Sequence, residues 1–199
     1  MITTSQANDG RLDQLGSVVK QVNDVLGYNL ATVTRKPLPG PWSPDTALSG
    51  LNTTVAVKEF LLRIEVTKAC LATGVAYLVG DAGGTGKVIG TLYDESGSLI
   101  RASALAGATI GTAGEIQSIA FALGADGATA ATTAELAPGV YWIGVTFNEA
   151  TTRKLRTIPA HTSFGILGAA QVRTFGTLVN PITPPTTFTA AEVPVASLY

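Results

Sequence analysis

The sequence predicts a mainly β protein: an antiparallel β-sandwich or jelly roll with an N-terminal helix and extended N- and C-terminal arms. Three observations predict it. Between about Leu48 and Gly176, short apolar runs recur with turn chemistry between them, the pattern of stacked antiparallel sheets. No helical period of useful length interrupts these runs, which argues against a parallel α/β sheet. The two ends are different in kind: one carries a helical stripe and a proline run, the other four prolines and almost no charge.

Three zones follow: 1–45, a helix and proline-rich assembly arm; 46–176, the β domain; and 177–199, an extended tail that would lie along another surface. In the first, Leu12, Leu15, Val19, Val22 and Leu26 recur at spacings of three and four residues, one stripe of a helix. Asn8 or Asp9 would cap its start and Gly27 its end. Val18 and Val25 widen the stripe, and its flanks lack charge. A two-stranded coil wants a narrow seam with flanking charges, so three or more helices together, or one helix laid on a broad apolar surface such as its own sandwich, fit better; the extended proline arm, which gives the helix reach, favours the first. Pro37, Pro39, Pro41 and Pro44 then hold the chain extended around Trp42. The expected state is a homo-oligomer, a trimer, held partly by this arm.

In the β zone, "FLLRIEV" puts Phe60, Leu62, Ile64 and Val66 on one face and Arg63 and Glu65 on the other. "GVAYLVG", "KVIGTLY", "SLIRASA", "EIQSIAFAL", "TAELA" and "GVYWIGVTF" follow as further strands. "YDESGSL" is hairpin chemistry, with Asp94 and Gly97 in turn positions. Pro138-Gly139 is a second turn. In the last strand Tyr141, Ile143, Val145 and Phe147 form the core face. Trp142 falls on the other face beside Gly144, and is expected against another chain or under the chain's own arm.

The stretch "VGDAGGTGKVIG" imitates a nucleotide-binding loop and fails its test. Counting back from Gly86-Lys87, the first-glycine position holds Asp81, and the residue after Lys87 is Val88, which has no hydroxyl for magnesium. A strand follows rather than a helix, so no helix N-terminus faces a phosphate. The stretch reads as a glycine-rich connection between two antiparallel strands.

Composition narrows the function. Hydrophobic residues make up 46% and charged residues 14%, against a usual charged share of about a quarter. Such a surface suits a protein covered by neighbours. The net charge of −1 and pI of 5.8 argue against general nucleic-acid binding. The single Cys70 builds no disulfide framework or cysteine metal site within one chain and reads as a small buried apolar residue. The N-terminus shows no signal-peptide pattern and no apolar run is long enough for a bilayer helix, so synthesis in a cytoplasm and no membrane insertion are expected. The only histidine, His161, excludes a two-histidine metal site, and no GxSxG elbow accompanies it. Asp81, Asp94 and Asp126 match no calcium-loop spacing. Arg153, Lys154 and Arg156 read as a solvated hairpin edge. No catalytic residue and no cofactor is expected.

The segment from about residue 60 to 160 resembles a β-sandwich domain of virion structural proteins of tailed bacteriophages. The Leu-Tyr-Asp-x-x-Gly hairpin at Leu92 to Gly97, the Leu-x-Pro-Gly-x-Tyr-Trp entry at Leu136 to Trp142 and the threonine-arginine hairpin after it carry the resemblance. It implies a part displayed on a capsid or tail: a decoration protein, head fibre, tail fibre or minor tail protein. It implies other virion proteins as partners, a place in the virion after assembly in the host cytoplasm, and no catalytic residues. The alternative is a carbohydrate-binding or receptor-binding module, with a host-surface glycan as ligand and Trp142 as its stacking platform.

Overall fold

The computed structural model describes residues 50–52, 58–80, 86–148, 155–157, 167–189 and 192–199, which all belong to one compact unit within residues 31–199. The stripe of Leu12, Leu15, Val19, Val22 and Leu26, the proline arm with Trp42, and Asp81, Arg153, Lys154 and His161 lie outside the described residues. Among the described residues there is no helix, and every strand pairing is antiparallel.

The strands are β1 (Gly50–Asn52), β2 (Lys58–Val66), β3 (Cys70–Ala72), β4 (Gly74–Leu78), β5 (Lys87–Asp94), β6 (Leu99–Ala102), β7 (Ala108–Thr109), β8 (Ile116–Ala120), β9 (Ala134–Leu136), β10 (Gly139–Phe147), β11 (Leu155–Thr157), β12 (Ala170–Val172) and β13 (Ala196–Leu198). The main sheet runs β12-β2-β10-β5-β6, with β7 paired to β5. A second sheet runs β13-β4-β8, and β1-β11 and β3-β9 form two short ribbons.

The main sheet is built on β10, the longest apolar run with β2. It sits between β2 and β5, with Ile143 opposite Leu62 on one side and Leu92 on the other. Side chains alternate between faces along each strand. Phe60, Leu62, Ile64 and Val66 of β2 therefore share a face with Val88 and Leu92 of β5 and Ile143, Val145 and Phe147 of β10. Val75 and Tyr77 of β4, Ile119 of β8 and Leu198 of β13 pack into the same cluster. Tyr77 meets Phe147 edge to face with ring centroids 5.7 Å apart, and a Cβ on Gly90 would come within 3.1 Å of Val75. The core face is the one the alternation indicates, except that Tyr141, at the sheet end, is only half-buried and its hydroxyl donates to the Ala137 carbonyl at 2.8 Å.

Three arrangements differ from the sequence reading. β4 and β5, which flank the glycine-rich stretch, belong to different sheets, so they form no hairpin; residues 81–85 themselves are not among the described. The chain beyond residue 177 runs along its own domain: β13 joins β4, Val193 and Leu198 enter the main core, and Ile182 is buried against the opposite face of the main sheet. Cys70 is half-buried rather than buried, with burial pushing its thiol up.

The β5–β6 hairpin forms as its residues indicate. The Asp94 carboxylate accepts from the Ser96 hydroxyl at 2.6 Å and the Ser98 amide at 2.9 Å. Gly97 takes φ +91°, the left-handed region that side chains avoid.

Candidate functional site

The second face of the main sheet holds the densest polar chemistry of the described residues. Glu59, Leu61 and Arg63 of β2 share it with Trp142, Gly144 and Thr146 of β10 and Ile89, Thr91 and Tyr93 of β5. Glu59 is buried at the centre. Its carboxylate reaches across β10 to β5, where Oε1 accepts from the Thr91 hydroxyl at 2.6 Å and the Tyr93 hydroxyl at 2.9 Å. Its Oε2 accepts from Arg173 Nε at 2.9 Å. Gly144 makes the crossing possible: a Cβ there would lie 2.2 Å from both Glu59 Oε1 and Thr91 Oγ1.

The arginine is fixed in turn. Arg173 Nη2 donates to Gln171 Oε1 at 3.1 Å and Nη1 to the Val172 carbonyl at 3.0 Å, and Gln171 Nε2 donates to the Thr183 carbonyl. Four segments, β2, β5, β12 and the chain near Thr183, are thus tied to one carboxylate. Burial, then the charge of Glu59, holds the Tyr93 phenol well above its ordinary range, so it stays a donor. Both oxygens of Glu59 are engaged inside the fold. At 1% exposure the carboxylate is also shut off from solvent. It acts as a strut.

Trp142 lies beside this network, opposite Arg63 and Tyr93 in the ladder. Its side chain is 3% exposed and packs in a cluster with Leu61, Tyr93, Leu99, Ala102 and Ile182, with Leu123, Leu167 and Leu178 around it. The tail lies over it. Leu99 N donates to Asn180 Oδ1 at 2.9 Å and Ile182 N to the Gly97 carbonyl at 2.9 Å, stitching the tail to the β5–β6 hairpin. Of the two covers expected for Trp142, another chain or the chain's own arm, the described residues show its own C-terminal segment. Its Nε1 is buried and has no hydrogen-bond partner among the described residues.

No protein-family model, curated protein or solved structure matches the chain.

The remaining candidates resolve into local structure. Lys87 opens strand β5; its Nζ donates to Thr109 Oγ1 at 2.6 Å and its backbone N to Asn148 Oδ1 at 2.7 Å. These contacts make Lys87 a strand anchor. Asp126 Oδ1 accepts from the amides of Ala128 and Thr129 at 3.0 and 2.8 Å, and Oδ2 from the Thr129 hydroxyl. Asp94 and Asp126 each serve a turn of their own, and no group of three metal-ligating side chains comes together among the described residues.

Sequence reasoning missed Glu59 and Arg173. They are 114 residues apart, and nothing local links them. One signal was present: Glu59 falls on the same strand face as Leu61, and opposite a strand whose glycine at 144 leaves a gap to fill.

Proposed function

We propose that the chain is a non-enzymatic structural component of a tailed-phage virion, displayed on the capsid or tail surface and assembling through its arms. In this reading the domain is a β-sandwich, with the β13-β4-β8 sheet laid over one face of the main sheet and the C-terminal tail over the other. The observation that carries it is the closure of the polar interior. The best-placed carboxylate, Glu59, is consumed by Thr91, Tyr93 and Arg173, and the other described carboxylates with marked partners cap turns or clip edges. The exposed described residues are mostly small and neutral, with Leu71, Ile116, Val172 and Val179 as exposed large apolar side chains among them. The motifs behind the virion resemblance serve as framework: Leu92 to Gly97 is the β5–β6 hairpin, and Leu136 to Trp142 links β9 to β10.

The carbohydrate reading is the weaker one on this geometry. A sugar platform needs an open aromatic face, and Trp142 at 3% exposure has none.

The test is immunogold electron microscopy on intact particles of the phage whose genome encodes the chain. An antibody against the β domain should label one regular position on the particle. Absence of the chain from purified particles, together with a glycan-array hit, would replace this reading with the carbohydrate one.

A further inference from the structure

The edges of the two main sheets are treated differently. At one end of the main sheet, β12 is guarded: the Ala170 amide donates to Glu192 Oε2 at 3.2 Å, and Glu192 pairs with Lys58 at 2.8 Å. At the other end, Ala102 of β6 exchanges backbone hydrogen bonds with Leu123. In the second sheet, β13 is followed on its far side by β11 through the Val195 amide and the Arg156 carbonyl, 3.0 Å apart. Among the described residues β8 has no such guard. It pairs with β4 alone.

The register says which groups are left over. Val79 N donates to the Glu115 carbonyl and Phe121 N to the Thr73 carbonyl, both at 2.9 Å. These are the bonded pairs at the two ends of the β4–β8 ladder. In an antiparallel ladder the bonded positions alternate, so Gln117 and Ile119 face β4. The backbone N–H and C=O of Ile116, Ser118 and Ala120 point away from it, and nothing among the described residues pairs with them. The Gln117 side chain ties the segment 109–111 to the strand, accepting from Gly111 N and donating to the Thr109 carbonyl, and leaves the edge bare. Ser118 and Ala120 are exposed, and Ile116 is 53% exposed. Free edges are commonly blunted with lysine, proline or a bulge; β8 has none of these.

We propose that β8 is an interface for a second copy of this chain, paired antiparallel across a two-fold axis at Ser118. The strand is self-complementary in that register. Ile116 faces Ala120 of the partner copy, Ser118 faces Ser118, and Ala120 faces Ile116. All six residues are ones whose backbone groups point outward, so six backbone hydrogen bonds form. A large apolar side chain meets a small one at each end. Charge selects this arrangement over a parallel one. The exposed Glu115 that precedes β8 would stand beside its own copy in a parallel pair. In the antiparallel pair the two lie six residues apart, about 20 Å at ~3.4 Å per residue, well beyond the screening length of about 8 Å. The two β13-β4-β8 sheets join into one. A five-residue edge is a small contact, so it forms where copies are already concentrated. It stands apart from the arm-mediated assembly proposed above.

Disulfide trapping in the full-length chain tests this. In a Cys70→Ser background, Ser118→Cys places two thiols at a bonded pair, where Cα atoms sit about 5.5 Å apart, inside the disulfide range of about 4.4–6.8 Å. Glu135→Cys, exposed on β9, is the control. The proposal expects Ser118→Cys dimers to form about tenfold faster than control dimers or more, the local-concentration advantage of a preformed contact. A second variant, Ser118→Lys, sets two ammonium groups together at the axis and should reduce concentration-dependent association in sedimentation velocity. Equal trapping of both cysteines, or association unchanged by Ser118→Lys, overturns the edge interface. If trapping fails while the chain remains oligomeric through its arm, only the edge proposal falls. If Ser118→Cys couples quickly in a chain that is otherwise monomeric, the edge proposal holds and the arm-mediated assembly falls.

Discussion

Glu59 and Gly144 account for each other. A buried carboxylate is tolerated only when its charge is paired and its oxygens are bonded, and Glu59 meets that demand only because residue 144 has no side chain in its path. Trp142, next along the same face, is the counter-example: a buried indole whose N–H has no described acceptor. Burying such a donor costs about 1–3 kcal/mol. Trp142→Phe keeps an aromatic ring and removes the donor, whereas Trp142→Ala empties the cluster at about 3–5 kcal/mol. In urea unfolding followed by circular dichroism, the phenylalanine variant should lose less than half as much stability as the alanine variant. Equal losses would show that the N–H finds a partner. Asp126 gives a prediction in pH. Hydrogen bonds from the Thr129 hydroxyl and the Ala128 and Thr129 amides bring its carboxyl down to about 2, from an ordinary 3.8. The folded value is the lower one, so the turn's stabilisation is present above the ordinary value and is lost as pH falls toward 2. Carbon-detected NMR titration should find the Asp126 midpoint below that of an unstructured aspartate, and Thr129→Ala should move it upward.

At the scale of elements, the long strands were legible and the short ones were not. β2, β5 and β10 have eight or nine residues each, enough for a period of two to identify which side chains share a face. β3, β7, β11, β12 and β13 have two or three. No period fits in so few residues, and pairing with distant strands defines them. The β5–β6 turn was legible because Asp94 and Gly97 act within four residues of each other. Alternation has a limit, however. It shows that Leu61, Tyr93 and Trp142 leave the main core together, but not that their own face is covered, because the cover comes from residues 167–182. The assigned core face is tested at Ile143, which has no exposed surface. Ile143→Ala should cost about 2–5 kcal/mol in denaturant unfolding. A loss below about 1 kcal/mol, the range of surface positions, would mean the faces are reversed.

At the scale of the whole molecule, the sequence indicated the class and left the closure open. Prolines and low charge say that residues 177–199 are extended; they do not say along what. The tail spends itself on its own domain, with Ile182 over the Trp142 face and Val193 and Leu198 in the core. It is therefore a poor candidate for reaching a neighbour, and the proposed assembly falls to residues 1–45. There the wide stripe from Leu12 to Leu26 suits three or more helices together, or one helix laid on a broad apolar surface. If the stripe forms the expected helix of about 16 residues, that helix would be marginal alone in water and would need a surface to dock on. The proposed function makes the chain an assembling part held by this arm. Multi-angle light scattering of the full-length chain, beside a variant lacking residues 1–45, decides between the two. An arm-held trimer gives a full-length mass three times the chain's 20.4 kDa and a truncated variant that stays folded as a monomer. A full-length chain that holds its single-chain mass at every concentration, with a truncated variant that unfolds, would contradict it and assign the helix to the domain's own core.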